Sequence, residues 1–168
     1  MDKDKNSTHE SSSGDENVQT QTFEPQQVAE NNIAFDDDTK ASVEVGEMQF
    51  CSYAVRSFLA KAKGLARFDA GGLSEGEGML FIYSEEDLYS FWMKNMEFDI
   101  DIIWIRDDTV IDVSRNVPYP KDDVDDSDLP RYTPSSPVNF VLEVNSGKAD
   151  NIKLGDKVIY SQPCKKTQ

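Results

Sequence analysis

Histidine is almost absent from this chain. The single one, His9, lies in a polar N-terminal stretch, so a folded Ser-His-Asp or Cys-His site has no base to draw on. Cysteine is nearly as scarce. Cys51 and Cys164, with no histidine in the folded part, cannot build a usual zinc site. Neither a phosphate loop nor a dinucleotide fingerprint opens a helix, so no metal and no cofactor is expected. Long apolar runs are missing too. A spanning helix needs about 20 consecutive apolar residues, and the best run, Phe98 to Ile105, is broken by Asp99 and Asp101. Direct membrane insertion is therefore not expected. Positive charge is short: 17 Lys and Arg against 32 Asp and Glu leave a net charge of −15. Such an excess of carboxylate repels nucleic-acid phosphates and anionic membrane faces. The opening Met1-Asp-Lys-Asp-Lys5 lacks the apolar core of a signal peptide, so a signal or anchor is expected to be absent from this chain.

What is present suits one small folded domain behind a tail. The 168 residues are sized for a single domain, and a monomer is expected. Residues 1–45 carry eleven acidic and three basic residues, are rich in Ser, Gln and Asn, and show Phe23 and Phe35 as their only aromatics. This composition reads as a disordered acidic tail or spacer. Residues 46–162 read as the globular domain and 163–168 as a short C-terminal tail.

Within the domain the apolar texture is that of strands. Val43, Val45, Phe50, Tyr53 and Val55 open it, followed by one helix from Ser57, an N-cap, to a stop at Gly64. Met79 to Tyr83, Phe91 to Asn95 and Phe98 to Ile105 read as strands, the last two as central ones, with Phe98, Ile100, Ile102 and Trp104 on one face. Asp107-Asp108 turns a hairpin into Thr109–Val113, and the Pro- and Asp-rich stretch from Arg115 to Pro137 reads as a long surface loop. Its run Asp122 to Asp128 offers oxygen ligands but lacks the spacing of a calcium loop. Strands at Val138–Val144 and Leu154–Tyr160 close the chain. The expected fold is mainly β: a compact antiparallel β-sandwich or barrel-like domain with one or two short helices, preceded by a disordered tail.

The two cysteines flank the domain. A Cys51–Cys164 disulfide in an oxidising compartment would close a loop of over a hundred residues, worth roughly 4 to 5 kcal/mol in the chain-entropy model. The alternative is two unrelated thiols in a reducing cytoplasm.

An ordered series of motifs runs through the domain: Gly78-Met-Leu-Phe81, Phe91-Trp-Met-Lys-Asn95, Asp101-Ile-Ile-Trp-Ile105, Val141-Leu-Glu-Val-Asn145 with Gly147, and Gly155-Asp156. Together they resemble the bacterial and archaeal domain-of-unknown-function family 192 over roughly residues 50 to 160. The resemblance implies a compact, mostly β fold with a short helix near its start. It also implies an extracytoplasmic location (cell surface, periplasm or secreted), with the cytoplasm as the alternative, and it implies no activity. The sequence departs from the family pattern at Gly64-Leu-Ala66, where Gly-Leu-Met is usual, and at Asp99, where proline is common.

Candidate site residues follow from polar groups set among apolar ones. Lys94 alternates with Trp92 in an apolar stretch and needs a partner if buried. Asp101, on the strand face of Ile103 and Ile105, is the natural one, which makes a Lys94–Asp101 ion pair the structural expectation. The functional alternative gathers Lys94, Asn95, Asp101, Glu143 and Arg67, with Trp92, around one cleft. Glu143 by itself has the parity of an outward-facing residue. Tyr119 and Tyr132 either form an aromatic platform for a glycan or peptide, or pin the long loop by packing. Three functions are open: a domain that binds a polar small molecule, glycan or envelope component; a carboxylate-based hydrolase or lyase using Asp101 and Glu143 as acid and base beside Lys94; and a structural module of an envelope assembly. Binding is favoured over turnover.

Overall fold

The computed structural model describes residues 35–121 and 124–164. Seven strands, β1 (Lys40–Val45), β2 (Met48–Val55), β3 (Glu77–Asp87), β4 (Ile100–Arg106), β5 (Thr109–Val117), β6 (Val138–Asn145) and β7 (Val158–Ser161), form one sheet in the order β5-β4-β6-β3-β2-β1-β7. The sheet curls until its two edges meet at one end. There Thr109 bridges Lys157, and the Val158 N–H donates to the Asp108 carbonyl at 2.7 Å. The outcome is a half-barrel, so the mainly β, barrel-like expectation holds.

One pairing departs from the antiparallel expectation: β2 and β3 run parallel. Parallel neighbours need a crossover, and residues 56–76 supply it. They include α1 (Phe58–Lys63), which continues as a 3-10 turn over Gly64–Arg67. The caps are the ones the sequence predicts. The Ala60 N–H donates to the Ser57 hydroxyl at 3.2 Å, and Gly64, at φ 48°, donates its own N–H to the Ala60 carbonyl.

The folded part starts before the expected 45/46 boundary. Ala41, Val43 and Val45 alternate onto the inner face between β2 and β7, and Phe35, assigned to the tail by its polar surroundings, is buried among them. The remainder of the expected tails, residues 1–34 and 165–168, lies outside the described residues. Cys51 is bonded to Cys164, which ties β2 to the chain just beyond β7. Among the described residues no helix is long and apolar enough to cross a membrane.

The sheet is covered on both sides. Its concave face holds Val43, Phe50, Leu80, Ile103, Leu142 and Val144. Its convex face holds Met79, Phe81, Ile100, Ile102, Trp104 and Val141, roofed by Leu65, Leu73, Met93 and Met96 from the connecting segments. This explains why Phe91–Asn95 is not the central strand its alternation suggests. Phe91 makes only an isolated bridge to Tyr132, and the chain then turns, with Asn95 at φ 59°. The Phe91 ring packs edge-on against Phe81 and Trp104, at 4.9 and 5.4 Å between centroids. The alternation comes from a segment that covers a sheet without joining it.

Candidate functional site

On the convex face α1 and the segment 90–96 stand apart above β3 and β6, leaving an open pocket of about 150 Å³. Phe81, Tyr83 and Glu143 form its base. One wall is Lys61–Ala66, from α1 and the turn after it, and the other is Ser90–Lys94 with Met96.

Strand register places Glu143 at the base. It lies beside Met79 of β3 and Ile102 of β4, both buried, so its side chain enters the second core and is itself only 6 % exposed. The outward reading of Glu143 is thereby corrected: its parity is opposite to Leu142 and Val144, but the face it occupies is roofed. No described residue donates a hydrogen bond to this carboxyl, and burial alone pushes it up to about 8. Tyr83, stacked on Tyr89 at 3.5 Å, is shifted upward by burial, then by Tyr89 and Glu143. The Lys61 ammonium sits 3.8 Å from the Tyr83 ring centroid, and burial followed by the nearby Arg56 charge lowers its pKa.

Of the residues expected in one cleft, Trp92, Lys94 and Glu143 line this pocket, while Asp101, Asn95 and Arg67 do not. The Lys94–Asp101 ion pair does not form. Lys94 pairs with Asp126 of the long loop and lies 5.3 Å over the Trp92 ring, whose other neighbour is the Arg131 guanidinium at 3.9 Å. Asp101, opposite Val144, points into the concave core and is fully buried. Its two oxygens accept from the Asn116 and Ala149 N–H groups, both at 2.8 Å. It thus holds an irregular turn of β5, where Asn116 has φ 51°, against the loop that follows β6. Arg115 ties the same loop through the Ala149 and Ile152 carbonyls at 3.3 and 2.5 Å. Because Asp101 and Glu143 lie on opposite faces of the sheet, they cannot act as an acid and base pair on one substrate.

The remaining candidates have local work. Arg67 pairs with Asp38 at 2.6 Å and covers Tyr53 and Phe68. Asn95 is an exposed turn residue. Tyr132 bridges Phe91 through its backbone and, with Tyr119, lines a separate apolar cleft of about 130 Å³ under the Pro-rich loop. Asp122 and Asp123 of that loop lie outside the described residues.

Sequence reasoning missed Lys61, Tyr83 and the turn at Gly64–Ala66. The signal was present in the last: the departure from Gly-Leu-Met puts alanine in the pocket wall. Gly78 also explains itself only in the sheet, where a Cβ would come within 2.8 Å of the Glu143 carbonyl oxygen and 3.0 Å of the buried, unpartnered Ser52 hydroxyl.

A curled mixed sheet with one crossover helix and a roofed convex pocket defines the class of domain. The family model of DUF192, described as "Uncharacterized ACR, COG1430", matches residues 40–160, and the chain belongs to this family. It is similar to the solved structure of a protein of unknown function from Novosphingobium aromaticivorans DSM 12444, with 32% identity, a TM-score of 0.60, and coverage of 70% of this chain and 83% of that one. A second structure, from Sinorhizobium meliloti 1021 and provisionally described as a transcription regulator, shares the fold at 20% identity and a TM-score of 0.64, covering 75% of this chain and 97% of that one. No curated protein matches the chain at a significant level.

Proposed function

We propose that this chain is an extracytoplasmic binding domain that takes a small polar ligand into the pocket beneath α1. The observation that carries the reading is the Glu143 carboxyl, nine-tenths buried, without a hydrogen-bond partner and lining the pocket. The sheet holds its other buried carboxylate, Asp101, with two backbone donors, whereas the Glu143 oxygens open to the pocket without a donor from the chain and are left for a ligand to meet. The Cys51–Cys164 bond and the acidic stretch before the domain support a location outside the cytoplasm. A sugar unit, a small metabolite or a fragment of the envelope all fit the pocket's scale.

One observation favours a second reading, turnover with Glu143 as a lone general acid. A carboxyl raised to about 8 is protonated near neutral pH, as such an acid must be. The test for both is a thermal-shift screen of the full chain against sugars, amino acids, organic acids and nucleotides. The full chain is needed because a fragment starting at residue 46 would lack β1. A hit that disappears in Glu143→Gln and survives in Arg67→Ala supports the binding domain, and chemical conversion of that hit supports the enzyme. Silence across the panel removes both and leaves a structural module.

A further inference from the structure

We infer that the ligand is a small zwitterion of amino-acid size, its ammonium group on the Glu143 carboxylate at the base of the pocket and its carboxylate towards Lys61 at the rim. This inference rests on the binding reading above and adds the class of ligand. The open pocket of about 150 Å³ has room for a molecule of this size.

The charged and titratable groups that line the pocket with Glu143 are Tyr83 from β3, Lys61 and Lys63 from α1, and Lys94 from the segment 90–96, the last already held by Asp126; of these only Tyr83 interacts with the carboxyl in the empty pocket. A buried carboxyl without a donor is best completed by an ammonium, which brings both the hydrogen bond and the countercharge. Lys61 points to the other half of the ligand. Its ammonium rests on the Tyr83 ring and makes no salt bridge within 4.0 Å to a described carboxylate, Asp37 acting on it only from farther off. A simple amine would meet Glu143 but be repelled by Lys61 and Lys63. A simple anion would meet Lys61 and leave Glu143 without a countercharge. A molecule carrying both charges satisfies both ends.

The two classes differ in protons. With the empty carboxyl pushed up to about 8, an arriving ammonium makes Glu143 ionise, so binding at pH 7 releases a proton. An anion keeps Glu143 protonated and drives proton uptake or none.

The experiment is isothermal titration calorimetry of the full chain at pH 7 in two buffers of different ionisation enthalpy. The probes are glycine, L-valine and L-glutamine, the valine fragments isobutylamine and isovalerate, and the neutral sugar N-acetylglucosamine. The expected result is that at least one of the three amino acids binds with proton release. Its affinity exceeds that of either fragment at least tenfold, and Glu143→Gln and Lys61→Ala each weaken it at least tenfold. A fragment that binds as well as the amino acids, or a sugar that binds in a Glu143-dependent way while the amino acids do not, overturns the zwitterion and leaves the binding domain standing. If no probe binds and the wider screen is also silent, the binding reading itself falls.

Discussion

The two faces of the sheet each bury one carboxylate, and they treat it in opposite ways. On the concave face Asp101 accepts two backbone N–H groups and fastens two irregular segments. On the convex face Glu143, one residue from Asp101's cross-strand neighbour Val144, has no donor and lines an open pocket. Burial alone therefore does not mark a functional group. Satisfaction does: a buried carboxylate with all its donors is part of the fold, whereas one that the chain leaves without donors at the base of an open pocket is available to whatever fills that pocket.

The largest effect that would break this contrast concerns Asp101. Asp101→Ala removes the acceptor for two buried N–H groups and loosens the turn at Asn116 and the loop at Ala149 together. Hydrogen bonds to a charged group contribute about 1.5–3 kcal/mol each, so urea unfolding should show a loss of about 3–5 kcal/mol with little change in slope. A loss below about 1 kcal/mol would mean that Asp101 is not the fastener described. Ligand affinity, measured on the fraction still folded, should be unchanged.

The next effect sharpens the contrast from the other face. Glu143 has its folded pKa raised to about 8 from an ordinary value of 4.5. Between those values the folded state keeps its proton while the unfolded chain loses it, so stability is full below pH 4.5 and declines until about pH 8. Glu143→Gln should remove this decline and, at pH 8.5, stabilise the protein by up to roughly 4 kcal/mol. Parallel melting curves from pH 5 to 9 check it, and an unchanged pH slope in the variant would show that the carboxyl is already compensated.

Much of the fold was legible in the sequence, because strand alternation, the Ser57 and Gly64 caps and the Asp107-Asp108 hairpin are local signals. The site was less legible, for two reasons rooted in distant chain. Glu143 was given to solvent on the assumption of a half-buried sheet, yet the convex face is roofed by α1 and by segments whose contacts no local period encodes. Asp101 was assigned a side-chain partner because a backbone N–H leaves no residue-type signature. Lys94 found its own partner 32 residues away, in a loop that reads only as polar.

Lys94 supplies the smallest effect and the finest test. If it completed Asp101, the two truncations would be strongly non-additive, since each would leave the other's charge buried. Instead Lys94 is paired at the surface with Asp126, their side chains 35% and 56% exposed, and such pairs contribute at most about 1 kcal/mol. Lys94→Ala should therefore cost less than about 1 kcal/mol, and the double variant with Asp101→Ala should equal the sum of the singles within about 0.5 kcal/mol. The cycle is measured by urea unfolding at pH 7. A coupling above about 1 kcal/mol would bring Lys94 across to the concave face and collapse the distinction between a satisfied carboxylate and an expectant one. Additivity leaves Lys94 where the geometry has it, at the edge of the pocket over Trp92.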